Sequence, residues 1–334
     1  MLFKLISEFF RFRNFLWFVL ALSKAKPDLV WIHQIGNDFP KTLPLVCKLM
    51  RLKSIQTHHD YGLVSMRKLY PQNLKLAAEQ IQQMHLSFQE LPEQLKLCWE
   101  SSSRRIVRQL FVIRRSILIW ISNMNVTNIL ISNQQASILR SAKLANIVVL
   151  PNSTEACNCV IPSGKAYSQT TFLFAGRPAG KGLDRICGIV SNTSNSLLLL
   201  AGKPELLSYI PRDFPSEKLH YLGNLSQTEL FSIMHQVDFV AVLSECFDVY
   251  PSVLLEALEH GSRVLCSQTV GNMRLVGSQF QGFVIPSDFN FHTSSLQDVF
   301  SLTPDTSQLF YHETMWGEQE LLMKVYELIE ETIA

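Results

Sequence analysis

Three glycines, an arginine and a lysine fall within seven residues at Gly176-Arg-Pro-Ala-Gly-Lys-Gly182. Glycines let backbone amides come close to an anion, and the start of a following helix adds its dipole. Arg177 and Lys181 bring the full positive charges a diphosphate needs. The stretch is not a P-loop: three residues separate Gly176 from Gly180, and no Ser or Thr follows Lys181. On pattern alone it reads equally well as a tight turn with two solvated cations.

The stretch from Ser244 to Gly261 pairs an acidic loop, holding Glu245 and Asp248, with a helix that Pro251 opens and Gly261 closes. Free amides near Ser252 and Val253 make a second place for an anion. Glu256 sits among Val253, Leu254, Ala257 and Leu258. Burying a carboxylate there is costly unless it is hydrogen-bonded, and a pair of sugar hydroxyls would satisfy it. The competing reading, a surface glutamate, fits those apolar neighbours less well.

Thr57-His-His-Asp-Tyr61 places two histidines on opposite faces of an extended chain, so at most one can face a cleft. A satisfied loop histidine is the plainer reading. No metal is expected, because no further ligands stand at suitable spacing. Arg104, Arg105, Arg108, Arg114 and Arg115 alternate with apolar residues in a basic amphipathic pattern. Such a face is either simply solvated or attracted to anionic lipid. No aromatic stacking platform or nucleic-acid motif accompanies the charge, so nucleic acid is not an expected partner.

These residues need strands and helices to hold them. In the second half, short apolar runs at 171–175, 197–201, 219–222, 237–243, 263–267 and 282–285 alternate with helical spacing, as in Gly182–Val190, Thr228–His235 and Pro251–His260. Continuous apolar strands between helices predict a parallel, doubly wound α/β sheet. The first half predicts strands at 28–33, 53–58, 126–131 and 146–150, with helices over 74–90 and 103–122. The apolar run Phe15–Leu22 is broken by charges before it could span a bilayer. It reads as a buried first helix, with a peripheral membrane helix as the alternative. Residues 313–333 read as a terminal amphipathic helix.

At 334 residues, 47% of them hydrophobic, the chain has material for about two domains. Its net charge of +2 conceals an asymmetry. Residues 1–150 carry 20 Lys and Arg against 8 Asp and Glu, a net +12, and residues 151–334 carry 10 against 20, a net −10. Seven scattered cysteines, including a lone Cys157–Cys159 pair with no partner ligands, predict a reduced, cytoplasmic protein rather than a disulfide framework or a zinc site.

With these blocks in order, the chain resembles the family-four-type retaining glycosyltransferases (glycosyl transferases group 1) of the GT-B fold. The resemblance is strongest over FAGRPAGKGLDRI, LLLLAGKPEL, LHYLGNLSQTEL and SECFDVYPSVLLEALEHGSRVL, and weaker over KPDLVWIHQIG, QTHHDY and NILISNQQASILRSAKLANIVVLPNST. It implies two Rossmann-like domains: 1–152 on the acceptor side, 153–170 a linker, 171–312 for the nucleotide sugar, and 313–334 a helix returning to the first domain. Such enzymes use nucleotide-diphosphate sugars, retain anomeric configuration and need no metal. Arg177 and Lys181, with Gly176, Ser252 and Val253, would hold the donor diphosphate, Glu256 the ribose hydroxyls, and Gly202 would lie near the nucleotide. Asp248 matches the first acid of the family's E-x7-E motif, with Glu245 as an alternative for meeting the donor sugar. His59 matches a histidine that lies against that sugar.

Two departures stand out. Arg274 falls in a loop where the family has a Glu, and the chain starts in a helix, so the first domain is expected to lack its initial strands. The resulting expectation is transfer of a sugar to a glycan or lipid-linked acceptor, in polysaccharide or lipopolysaccharide biosynthesis, at the inner face of a membrane. A nucleotide-sugar epimerase on the same fold and an inactive nucleotide-binding remnant remain as alternatives.

Overall fold

The structure, a computed structural model, describes residues 12–33, 41–63, 105–153, 167–178, 180–278, 282–286, 288–302 and 318–333. The helix expected over 74–90, residues 154–166 of the linker expected at 153–170, Cys157, Cys159 and Arg104 lie outside them. The chain forms two compact units, one of Met1–Pro151 with Gln319–Ala334 and one of Asn152–Glu318.

The first unit begins with α1 (Phe12–Ala25), β1 (Leu29–His33), α2 (Leu43–Leu49) and β2 (Lys53–His58). It continues with α3 (Arg105–Ser122), β3 (Thr127–Leu130), α4 (Asn133–Ser141) and β4 (Ile147–Val149). The four strands pair in parallel in the order β1-β2-β3-β4. Each of the four expected runs thus becomes a strand. Ser132 caps α4 by accepting the Gln135 amide. Helix α1 departs from the buried helix expected. Phe15, Phe18, Val19 and Leu22 pack toward Val30, Ile32 and Val46, but Leu16, Trp17 and Leu20 face solvent. The sequence is apolar around the whole helix, so periodicity could not show that only one side is covered.

The second unit contains β5 (Thr170–Ala175), α5 (Leu183–Asn192), β6 (Ser196–Ala201), β7 (Leu219–Gly223), α6 (Gln227–Met234) and β8 (Phe239–Val242). After these come α7 (Ser252–Glu259), β9 (Val264–Ser267), α8 (Arg274–Ser278), β10 (Gly282–Ile285) and α9 (Leu296–Phe300). The parallel order is β10-β9-β8-β5-β6-β7. Winding reverses between β5 and β8, the arrangement that opens a ligand crevice beyond the strands' carboxyl ends. Strands β6 and β8 are buried along their whole length, as a doubly covered sheet requires. Phe172, Phe174, Phe239, Leu198 and Leu200 form its core with Ile186, Ile189 and Val190 of α5.

The last helix, α10 (Glu318–Ile333), belongs to the first unit. Leu328 and Thr332 are its buried residues, and Lys53 Nζ donates to Ile333 O at 2.8 Å.

Candidate functional site

Loops leave the adjacent strands β6, β5, β8 and β9 on the same edge of the sheet, spanning the point where winding reverses. The loop after β5 carries Gly176, Arg177 and Lys181. Gly182 heads α5 at φ 80°, and a Cβ there would lie 1.9 Å from Leu243 O, so only glycine fits. That close approach clamps the β5 loop to the end of β8. Glu245 N donates to Gly180 O at 3.1 Å and tightens the same junction. On the other side Gly202, at φ 143°, has Gly176 O 3.2 Å from where its Cβ would stand. Its amide donates to Gly223 O and its carbonyl accepts from the Tyr221 hydroxyl.

Lys181 forms an ion pair with Asp248, whose carboxylate also accepts from Ser244 Oγ at 3.1 Å. The backbone of Asp248 is fixed at both ends: its amide donates to Thr269 O, and its carbonyl accepts from Gly271 N at 2.7 Å. Ser244 O is held in turn by the hydroxyls of Ser267 and Thr269. Arg185, one turn into α5, donates to Ser244 O at 3.2 Å. The Glu245 charge acts on Arg185, while burial works against the guanidinium's charge. Arg177 is exposed and makes no ion pair with a described residue. One anchored cation and one free cation thus border the loop.

Ser252 and Val253 open α7 behind Pro251, with no side chain capping the helix. Glu256 is half-buried as its neighbours predicted. Burial pushes its carboxyl above the usual range, and a hydrogen bond with the Ser252 side chain opposes that shift. The second unit therefore brings Gly176, Arg177, Lys181, Gly202, Glu245, Asp248, Ser252, Val253 and Glu256 to one set of loops. Ser244, Thr269 and Arg185, which hold those loops, were missed by sequence reasoning. The hydroxyl-rich Ser267-Gln-Thr269 after a strand was the available signal.

His59 belongs to the first unit, after β2. It is half-buried and its ring stacks on His33 at 6.2 Å, with Trp31 4.8 Å beyond. Burial foremost, and the neighbouring His33, lower its pKa. His58 points the other way, as alternation requires. Its Nε2 lies 3.0 Å from Asn128 Oδ1, and the Asn128 amide donates to Ser122 O and Ala145 O. Asn128 Oδ1 therefore accepts, and His58 Nε2 carries the proton. Burial lowers its pKa to about 4. Both histidines line a small cavity with Lys41, Thr57 and Asp60.

The basic helix face needs correction. Arg114 is 5% exposed and donates from both terminal nitrogens to Gly62 O at 3.3 Å, so it cannot meet a membrane. Burying a guanidinium this deeply is costly unless acceptors such as this carbonyl surround it. Arg115 is half-buried, and the side chains of Arg105 and Arg108 lie outside the described residues.

With this geometry in place, the comparisons with known proteins are direct. Residues 162–294 match the family described as Glycosyl transferases group 1. The whole chain matches sucrose-phosphate synthase from Thermosynechococcus elongatus at TM-score 0.62 and 14% identity, over 94% of this chain and 76% of that one. It matches Anabaena HepE, solved in complex with UDP-glucose, at TM-score 0.58 and 14% identity, over 94% and 82%. WaaG, a glycosyltransferase involved in lipopolysaccharide biosynthesis, matches at TM-score 0.56 and 15% identity, over 96% and 77%. No curated protein sequence matches the chain. The fold is the one these solved GT-B glycosyltransferases share. Residues 162–294, which hold the loop set, resemble a group 1 glycosyltransferase domain.

Proposed function

We propose that the protein transfers a sugar from a nucleotide-diphosphate donor to a glycan or lipid-linked acceptor, retaining anomeric configuration. The observation that carries this reading is the convergence of Lys181, Arg177, Asp248 and Glu256 on the loops where the sheet's winding reverses, inside the matched domain. Lys181 and Arg177 meet the diphosphate and offset charge developing on the leaving group, in the role a metal plays elsewhere. Glu256 takes the ribose hydroxyls at the start of α7, and the Ser252 and Val253 amides face the phosphates. Asp248, with Glu245 beside it, meets the donor sugar. UDP-sugars stand first among candidate donors because HepE was solved with UDP-glucose. Polysaccharide or lipopolysaccharide assembly at a cytoplasmic membrane face is the matching setting, given WaaG and the buried thiols of Cys47, Cys187, Cys246 and Cys266.

Calorimetry with nucleoside diphosphates tests the site. Lys181→Ala and Arg177→Ala are expected each to weaken binding by about tenfold or more; unchanged binding in both rules the assignment out. A transfer assay with EDTA present then tests the reaction. Donor consumption that depends on acceptor supports transfer, whereas conversion of the donor sugar without acceptor identifies an epimerase. Binding with neither outcome identifies a remnant.

A further inference from the structure

Helix α1 is apolar on both sides, and only one side is packed. Its inner face, Phe15, Phe18, Val19 and Leu22, closes the core over β1 and α2. Its outer face leaves Leu16 48%, Trp17 69% and Leu20 52% exposed, one helical turn apart. We propose that this outer face docks on an anionic lipid bilayer.

Charge selects the occupant. No acid occurs in Phe12–Ala25, and residues 1–27 carry Lys4, Arg11, Arg13, Lys24 and Lys26 against Glu8 alone. These residues lead a half of the chain with net charge +12. Cations beside exposed Trp and Leu are the composition of a helix that lies in the headgroup layer. The apolar side chains enter the acyl boundary, and the lysine stems reach back to phosphates. Tryptophan suits that layer because its ring is apolar and its N–H can stay wet. At 14 residues α1 is too short to cross a bilayer, so the geometry is docking rather than insertion.

The same test excludes the other long exposed face of the first unit. Helix α10 exposes Leu322, Met323 and Tyr326, but Glu320, Glu327, Glu330 and Glu331 accompany them against Lys324. An anionic surface would repel it. Helix α3 has the character of α1 on a smaller scale, exposing Ile117 and Trp120 beside Arg115. The buried Arg114 leaves that helix less basic outside than its sequence promised.

Flotation of the full chain with vesicles settles the matter. Vesicles of equal parts phosphatidylcholine and phosphatidylglycerol are expected to carry the protein at low salt, and vesicles of phosphatidylcholine alone to leave it behind. Changing Leu16→Ser, Trp17→Ser and Leu20→Ser together is expected to reduce vesicle partition by about tenfold or more. Lys24→Glu with Lys26→Glu is expected to weaken partition at low salt and to reduce its dependence on salt. All five side chains are exposed, so an unchanged melting temperature and unchanged nucleoside-diphosphate binding separate a docking defect from misfolding and from failure of the donor site. The proposal falls if the unchanged chain does not float at low salt, or if the serine variant floats as well as it does. It also falls if the chain self-associates through this face, shown by a dimer that the serine variant abolishes.

Discussion

Two anions would compete for Lys181. Its ammonium is held by Asp248, and on the proposed reading a diphosphate competes with that carboxylate for it. Donor binding would then free Asp248 for the sugar at the moment Lys181 reaches the phosphates. Asp248→Asn should therefore tighten binding of a nucleoside diphosphate by about two- to fivefold, the scale of a partly exposed ion pair. The same change should slow transfer. Titration calorimetry and a transfer assay on the one variant check both, and weaker diphosphate binding would refute the exchange. Each of these two residues was legible in the sequence on its own. Their pairing was not, because 67 positions separate them and their loops are brought together by the Gly182–Leu243 clamp and the Glu245–Gly180 hydrogen bond. His58 teaches a related lesson. Alternation showed that one of two neighbouring histidines turns inward, but the Asn128 partner that fixes its proton comes from another strand. His58 stays neutral down to about pH 4 in the fold, against 6.5 for the ordinary group. The unfolded chain binds this proton first, so stability is intact above pH 6.5 and falls as pH drops toward 4, by about 3 kcal/mol at the lower end. Urea unfolding at neutral pH and near pH 4.5 should show a smaller acid loss in His58→Gln than in the unchanged chain.

At the scale of elements, the second unit follows its hydrophobic pattern closely because its inner strands β6, β8 and β9 are buried on both faces and each run is short. The run expected at 237–243 narrows to Phe239–Val242, since Asp238 leaves the ladder to accept from the Thr171 amide and hydroxyl. Patterns fail where burial is one-sided within a uniformly apolar stretch, as in α1, or where a helix is only five residues long, as in α8 and α9. The loops depend on backbone geometry more than on pattern. Gly182→Ala would force a Cβ into Leu243 O at a positive φ, and about 3 kcal/mol or more of stability should be lost. Gly176→Ala meets nothing within 4 Å and bears only the strain of φ 126°, roughly 1–2 kcal/mol. Thermal melts of the pair test the distinction. Equal losses would mean the clamp between the β5 loop and β8 contributes little.

The whole molecule divides where the sequence's charge changes sign, yet the first unit also claims α10 from the far end of the chain. Removing residues 318–334 strips Leu328 and Thr332 from that unit and leaves Lys53 without the Ile333 carbonyl. Differential scanning calorimetry should then show the first unit's transition at lower temperature and the second unit's in place; a shift of both would mean the two melt as one. The shared ownership of α10 also sets a schedule. A ribosome releases β1 to β4 early, but their last packing partner follows only after residues 152–318 have been made. At ordinary rates of synthesis that interval is roughly ten to thirty seconds. The second unit, continuous in sequence, can complete its sheet within the wait. The protein's first-made half is thus its last-finished half, and a nascent chain stalled before residue 318 would offer chaperones an unclosed first unit beside a finished second one.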